Sequence, residues 1–356
     1  MYKLYVADNL QLMKDYIAEN GEGQVDLIYI DPPFNSKRNY LMSDGKVAFT
    51  DIWSSIPYKD ELEEINTINP NLYSFLKNLE STGLQKSMLS YLTAMGIRLY
   101  YMRLLLKDTG SIYYHCDPTA SHYIKIVMDY VFGSENFRNE IVWVRTKGHK
   151  TSTAQFPKNT DTIFFYSKTK DYNFDLPHTI TDEYAKRFKH KDSKGRFYPD
   201  NISNPGGGGA VFDFKGYPVP TRGYGCTLET MEKWDEEGLI YYPDSKTKQL
   251  KRKRYLKDMK GVQVKNYWDD ITAGKPEYPT QKPEALLERI IKASSNPGDL
   301  VMDFYNGGGT TGAVCKKLDR NYLGCDINAA AITLTQQRLE DLGCKLKKDL
   351  FVYNNK

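Results

Sequence analysis

The residues with chemistry to offer fall into two groups. In the first, Asp31-Pro32-Pro33-Phe34 directly follows the mostly apolar run Val25–Ile30. That run predicts a buried strand of a parallel sheet, and two prolines cannot continue its hydrogen-bond ladder. The strand therefore ends at the sheet's carboxyl edge, where open α/β sheets hold their ligands. A carboxylate, a rigid backbone carbonyl and an aromatic face emerge there together. Proline fixes φ near ~−65° and lacks an N–H, so the Pro32 carbonyl has no competing donor on Pro33. This set suits a flat ligand carrying an exocyclic amine: Asp31 accepts one N–H, the carbonyl the other, and Phe34 stacks on the ring. Taken alone, the four residues also read as a plain strand-ending turn.

The second group is near the other end of the chain. Leu300–Asp303 and Tyr322–Asp326 read as strands, joined through Phe304-Tyr305-Asn306-Gly307-Gly308-Gly309-Thr310-Thr311-Gly312 and a helix. Two strand-end acids with a glycine loop between them can hold a compact cationic nucleoside, Asp303 near an ammonium and Asp326 accepting from ribose hydroxyls. Their separation of 23 residues is what one strand-helix-strand step gives. Gly307-x-Gly309-x-x-Gly312 also matches the dinucleotide fingerprint of nicotinamide and flavin enzymes. Phe304-Tyr305-Asn306 argues against that, because the dinucleotide turn comes directly off its strand. Asp303 would also face the pyrophosphate, and like charges ~4 Å apart cost about 4 kcal/mol at an effective dielectric of about 20.

Asp31-Pro32-Pro33-Phe34, Thr280-Gln281-Lys282-Pro283 and Asp303–Thr311 together resemble the motifs of amino-group DNA methyltransferases, which take methyl from S-adenosylmethionine. The catalytic motif precedes the cofactor motif, an order similar to the beta group of that family, which includes the modification subunits of type III restriction systems. The resemblance covers most of residues 1 to 168 and 272 to 335. It implies an α/β fold: a Rossmann-like S-adenosylmethionine-dependent methyltransferase sheet with an inserted target-recognition domain. It implies that Asp31, Pro32, Pro33 and Phe34 are catalytic. It assigns cofactor contacts to Asp8, Thr280, Lys282, Asp303, Phe304, Tyr305, Gly307, Gly309, Thr310, Asp326 and Ile327, with Lys282 and Thr310 at the methionyl carboxylate. Asp8 approaches the cofactor's adenine amine or caps the following helix, roles that are compatible. His115 and Asp117 line the target pocket or take buried and capping roles. The family's usual residues after the strand-end acid are Pro then Phe; here they are Phe304 and Tyr305, and the ring contact passes to Tyr305. Asp at the motif's head favours adenine N6, whereas cytosine N4 enzymes more often begin with Ser. The implied activity is site-specific methylation of N6 of a flipped adenine in duplex DNA. A cytosine-N4 enzyme, a catalytically silent nucleic-acid-binding protein of the same fold and an RNA substrate are the alternatives, and no metal is required.

These residues must be positioned by a chain of 356 residues, long enough for two domains or one with a sizeable insertion. Mean hydropathy of −0.60 and the lack of a long apolar run argue against a membrane span. The N-terminus runs into a strand without a signal peptide, and five cysteines lack metal spacing. Together these predict a cytoplasmic protein with free thiols, and the resemblance adds a prokaryotic or phage origin. Lys3–Ala7 reads as a strand, Leu10–Ile17 as a helix, and Asn35-Ser36-Lys37-Arg38-Asn39 opens a mobile loop over the site. Residues 58–80 read as solvated surface within an insertion of about 41–86. A helix over Ser87–Lys107, a strand over Ser111–His115, a helix over Ser121–Phe132, and strands over Ile141–Val144 and Asp161–Lys168 complete a catalytic half at 1–168.

Residues 169–271 are the expected target-recognition region, and 272–356 the cofactor half. Two basic clusters with interleaved aromatics flank a run Gly206–Gly209 read as a flexible loop. A net charge of +4 is too small to imply nucleic acid, and charge runs are usually solvated faces. Two clusters of this kind shift the balance toward a phosphate backbone. Asn35, Lys37, Arg38, Lys147, Lys150, Lys251, Arg252, Lys253 and Arg254 are the expected DNA contacts. Double-stranded DNA is the expected partner; a homodimer and a separate restriction subunit stay open, and the chain has no room for a nuclease domain of its own.

Overall fold

The structure, a computed structural model, describes residues 1–35, 39–41, 47–53, 58–148, 155–273, 281–344 and 351–352. The chain forms two compact units, one of residues 1–176 with 265–356 and one of residues 177–264. The first unit opens with β1 (Tyr2–Val6), α1 (Asn9–Asn20), β2 (Val25–Ile30), β3 (Asn39–Leu41), β4 (Val47–Thr50), α2 (Lys59–Ile68), α3 (Pro70–Ser81) and α4 (Lys86–Leu105). β5 (Leu106–Cys116), α5 (Ser121–Phe132), β6 (Phe137–Val144) and β7 (Thr160–Ser167) follow. The second unit holds β8 (His178–Thr179), α6 (Asp182–Ala185), β9 (His190–Asp192), β10 (Gly195–Asn201), α7 (Leu228–Glu236), β11 (Ile240–Tyr241), β12 (Lys251–Tyr255) and β13 (Val262–Gln263). The chain returns to the first unit as β14 (Tyr267–Trp268), α8 (Glu284–Ser294), β15 (Leu300–Asp303), α9 (Thr310–Lys317), β16 (Asn321–Asp326), α10 (Ala329–Asp341) and β17 (Phe351–Val352).

A nine-stranded sheet in the order β14-β6-β7-β5-β2-β15-β16-β1-β17 organises the first unit. From β5 to β1 the neighbours run parallel, while β7 is antiparallel to both β5 and β6. The carboxyl ends of five parallel strands therefore share one edge. Asp31 follows β2 there, Asp303 closes β15, Asp326 closes β16, and Asp8 and Asp117 follow β1 and β5. β2 is paired on both sides, and all six of its residues are buried. The acid within it, Asp26, accepts from Lys107 Nζ at 2.7 Å and from the Leu300 N–H at 2.9 Å. Burial of a charge is tolerated when it is paired in this way.

Residues 59–81 are not the solvated surface that their acidic composition predicts. They form α2 and α3, whose Leu62, Ile65, Leu72 and Leu76 join the main core. Those residues recur three and four apart, and Glu61 and Glu64 are drawn to Arg98 and Lys14 at 2.8 and 2.7 Å. A Cβ on Gly96 of α4 would lie 3.1 Å from Leu72 Cδ2, which shows how closely α3 packs. The break expected at Asp108-Thr109-Gly110 is also absent: α4 ends at Leu105 and β5 begins at once. A register shift between Val25 and Leu27 of β2 absorbs the irregularity. Among the described residues, no helix is long and apolar enough to cross a membrane.

The second unit carries its own antiparallel sheet, β11-β12-β10-β9, and its own core of Ile202, Phe214, Tyr224, Met231, Ile240 and Leu250. Gly206–Gly209 is a hydrogen-bonded turn instead of a free loop. Gly207 N–H donates to Asn204 O at 3.2 Å and Gly209 N–H to Arg222 O at 3.0 Å. The reason is close backbone contact: a Cβ on Gly223 would lie 2.3 Å from Gly209 O.

Candidate active site

Where β2 ends, Asp31 presents its two oxygens to different surroundings. Oδ2 is ion-paired with Lys282 Nζ, from the segment leading into α8. Oδ1 is buried and has no hydrogen-bond partner among the described residues. Sequence motifs place Lys282 at a ligand carboxylate; here it sits on Asp31. Asp51, which the sequence reading did not single out, clamps the next turn: its carboxylate accepts from the Phe34 N–H at 3.1 Å, the Asn35 N–H at 2.7 Å and Trp53 Nε1 at 3.0 Å. An acid 17 positions beyond Phe34 gives no local signal of that contact. Asn35 adopts φ of 60°, a left-handed conformation that Asn tolerates, and is 3% exposed. Its side chain therefore faces inward, contrary to its expected DNA contact. Lys37, Arg38, Lys150 and Thr280 lie outside the described residues.

Phe34 stacks on His115, with centroids 5.9 Å apart. His115 is fully buried, its Nδ1 bonded to the Tyr29 hydroxyl at 3.0 Å and its Nε2 to Asp161 Oδ2 at 3.1 Å. Asp161 in turn ion-pairs with Arg145 at 3.0 Å. Both ring nitrogens are thus engaged, and His115 serves as the wall behind Phe34. Asp117 takes the capping alternative, accepting from the Thr119 N–H at 2.8 Å and hydroxyl at 3.0 Å.

In the cofactor half, Asp303 is 3% exposed and accepts from Thr311 Oγ1 at 2.6 Å and the Tyr305 N–H at 3.0 Å. Burial, with the nearby charges of Asp31 and Asp326, pushes its carboxyl up to about 7. Such a group is stabilised by an incoming cation. The glycine loop after it is held by Asn306, which donates to Thr335 Oγ1 at 2.7 Å and accepts from the Tyr322 hydroxyl at 2.6 Å. Gly309, at φ of 73°, starts α9; a Cβ there would lie 2.5 Å from Thr335 Oγ1. Asp326 receives the Gly307 and Asn328 N–H groups at 2.8 and 2.9 Å, which leaves a carboxylate further acceptor capacity. Ile327 beside it is 75% exposed, an apolar face at the sheet edge.

Other expected contacts are placed differently. Phe304 is buried in the core, because the residue after a strand-end acid continues the strand's inward alternation; its carbonyl accepts from Asn9 Nδ2 at 3.0 Å. Tyr305 is half-buried near Met95 Sδ, and burial raises its hydroxyl to about 12. Thr310 is buried with Oγ1 3.4 Å from Arg338. Asp8 caps α1 by accepting the Gln11 N–H at 3.1 Å and lies 3.4 Å from Arg98. Lys147 is exposed. In the second unit, Lys251–Arg254 form β12 and are mostly committed within that unit. Lys253 pairs with Asp192 at 2.9 Å, Arg254 with Asp200 at 3.2 Å, and Arg252 lies 3.9 Å over Trp234. Antiparallel pairing with β10 brings the acids to them, so a phosphate would have to compete.

With this geometry in place, similarity to known proteins can be set beside it. A family model described as DNA methylase matches residues 25–337. The type II methyltransferase M.EcaI of Enterobacter cloacae is 33% identical over 343 residues, which cover 93% of this chain and 68% of that protein. The Mod subunit of the type III restriction-modification enzyme StyLTI of Salmonella typhimurium is 28% identical over 350 residues, 91% of this chain. The chain spans only 52% of that subunit's length. Among solved structures, a DNA modification methylase of Thermus thermophilus, crystallised with S-adenosyl-L-methionine, matches over 100% of both chains with a TM-score of 0.51 at 13% identity, a likeness of fold.

Proposed function

The chain belongs to the N6/N4 DNA methylase family, and from that premise we propose that it transfers a methyl group from S-adenosylmethionine to N6 of adenine in duplex DNA. The observation that carries this reading is the buried, unpartnered Oδ1 of Asp31 at the same sheet edge as Asp303 and the glycine loop. A buried acceptor without a donor costs about 1–3 kcal/mol, and a ligand N–H relieves that cost. When bound, S-adenosylmethionine supplies an electrophilic methyl group. Asp303 suits its ammonium, Asp326 its ribose hydroxyls, and Ile327 with Tyr305 its ring, while the loop beginning at Gly307 leaves room for close approach.

The remaining work belongs to this chain. An exocyclic amine is a poor nucleophile because its lone pair delocalises into the ring. Asp31 Oδ1 accepts one amine N–H and the Pro32 carbonyl the other, favouring a tetrahedral nitrogen and stabilising the positive charge that develops. The amine proton then leaves toward Asp31 or water. Holding the reactants in line contributes up to about 7–11 kcal/mol of barrier lowering. A base in a duplex reaches this pocket only if flipped, at a cost of a few kcal/mol, of which stacking on Phe34 returns about 1–3. Residues 177–264, with their own sheet and core, fit a target-recognition insert between the catalytic and cofactor halves. A separate restriction subunit is in keeping with the type III relatives. Asp at the head of the motif, together with those relatives, favours adenine over cytosine.

Mass spectrometry of nucleosides from duplex DNA incubated with S-adenosylmethionine tests this. N6-methyladenine from wild type and none from Asp31→Ala is the expected result. N4-methylcytosine would overturn the base while keeping the chemistry. DNA of varied sequence left unmodified would overturn the function.

A further inference from the structure

We propose that Lys282 positions Asp31 for the reaction, holding Oδ2 so that Oδ1 alone is presented to the target amine; this rests on the reading of Asp31 given above. A carboxylate offers two equivalent oxygens, and rotation about its bond to Cβ exchanges them. An amine aimed at either one would sample two geometries, of which at most one is in line with a methyl donor. A charge-assisted contact to one oxygen removes that freedom.

The structure has the parts for this. Lys282 precedes α8, whose N-cap is Pro283, so the backbone that carries the lysine is constrained at its next residue. Its ammonium reaches Asp31 across 251 positions of sequence, and the two side chains are 10% and 17% exposed. Little water competes for the pair. The same ammonium lies 5.8 Å from the centroid of Phe34, so one cation spans the acceptor and the stacking ring. Asp303, on the neighbouring strand, is an acid whose charge repels that of Asp31, and Lys282 offsets this repulsion. The free oxygen is then buried, fixed and unsatisfied. Lys282 acts through Asp31 and is a positioning residue.

The competing role, a grip on the methionyl carboxylate, gives a different signature in Lys282→Met of the full chain. Affinity for S-adenosylmethionine is measured by calorimetry, and single-turnover methyl transfer to duplex DNA is measured at saturating cofactor. If Lys282 orients Asp31, cofactor affinity stays within about threefold of wild type while the single-turnover rate falls about 100-fold. Retained affinity also shows that the variant is folded. If affinity falls tenfold or more and the saturated rate stays within about threefold, Lys282 is a cofactor ligand and the proposal fails. It fails as well if neither quantity changes. The wild-type arm alone tests the methyltransferase reading, so its failure and that of the Lys282 proposal are told apart.

Discussion

Asp303 should make cofactor binding depend on pH in a direction that can be worked out. In the ligand-free site its carboxyl is pushed from the ordinary 3.8 up to about 7, chiefly by burial and further by Asp31 and Asp326. That displacement corresponds to about 4 kcal/mol of differential interaction between its two protonation states. Because the folded value is raised, the stabilisation it represents is fully present below about pH 4 and is lost as pH rises through about 7. Above that, the empty site holds a buried anion, and a cation placed against it should be welcome. A cationic ligand that lowers the carboxyl must expel a proton when it binds below pH 7. Affinity for S-adenosylmethionine should therefore weaken by up to about tenfold per pH unit as pH falls from 7 toward 5, and level off above about 7. Titration calorimetry across that range, in two buffers of different ionisation enthalpy, reads both the affinity and the proton released. The ligand's own α-amine titrates near about 7.7–8.0, above the window, and Asp303→Asn serves as the control. The variant should bind more weakly, show no pH dependence between 5 and 7, and be the more stable ligand-free chain at pH 8. Equal pH profiles for wild type and variant would refute the placement of a ligand cation at Asp303.

Three further outcomes follow from the geometry. His115→Phe keeps an aromatic ring behind Phe34 but leaves the Tyr29 hydroxyl and one oxygen of Asp161 without their partner, so urea unfolding should show a loss of about 2–5 kcal/mol; a loss below about 1 would mean the pocket readily takes up water. Gly309→Ala must hold φ of 73° and place a Cβ 2.5 Å from Thr335 Oγ1, so it should cost about 1–3 kcal/mol and weaken cofactor binding in calorimetry, whereas unchanged affinity would separate the loop from the ligand. Replacing Lys253 and Arg254 together by Ala should destabilise residues 177–264 yet change the slope of log affinity against log salt by less than about 1, since both cations are already paired. A change near 1.8, about 0.9 for each of two phosphates, would return them to the DNA interface.

Much of the candidate site was legible because it is written in residues that constrain the backbone where they stand. Pro32 and Pro33 end a strand whatever surrounds them, and a glycine at 309 permits a left-handed turn at the start of a helix. Apolar runs before Asp31, Asp303 and Asp326 mark strands, and the acid at the end of each lies at the carboxyl edge once those strands are parallel. The same local rules mislead where burial depends on a distant partner. The acidic stretch at 59–81 looked solvated, yet its apolar residues three and four apart lie against α4. Lys251–Arg254 looked like a cationic patch, but β10 and β9 supply Asp200 and Asp192.

By itself the sequence determined the kind of chemistry, the order of the catalytic and cofactor motifs, and the parallel α/β class of the sheet. Only the tertiary structure decided which charges are spent within the protein and which are left for a ligand: that Lys282 occupies one oxygen of Asp31, that Asp51 clamps the turn after it, that Asn35 and Phe304 face inward, and that Asp303 is buried enough to hold its proton to about 7. The physical reason is reach. Backbone preferences and hydrophobic periodicity act over a few residues, whereas the contacts that set ionisation and orientation join positions brought together by strand order and register, as far apart here as 251 residues.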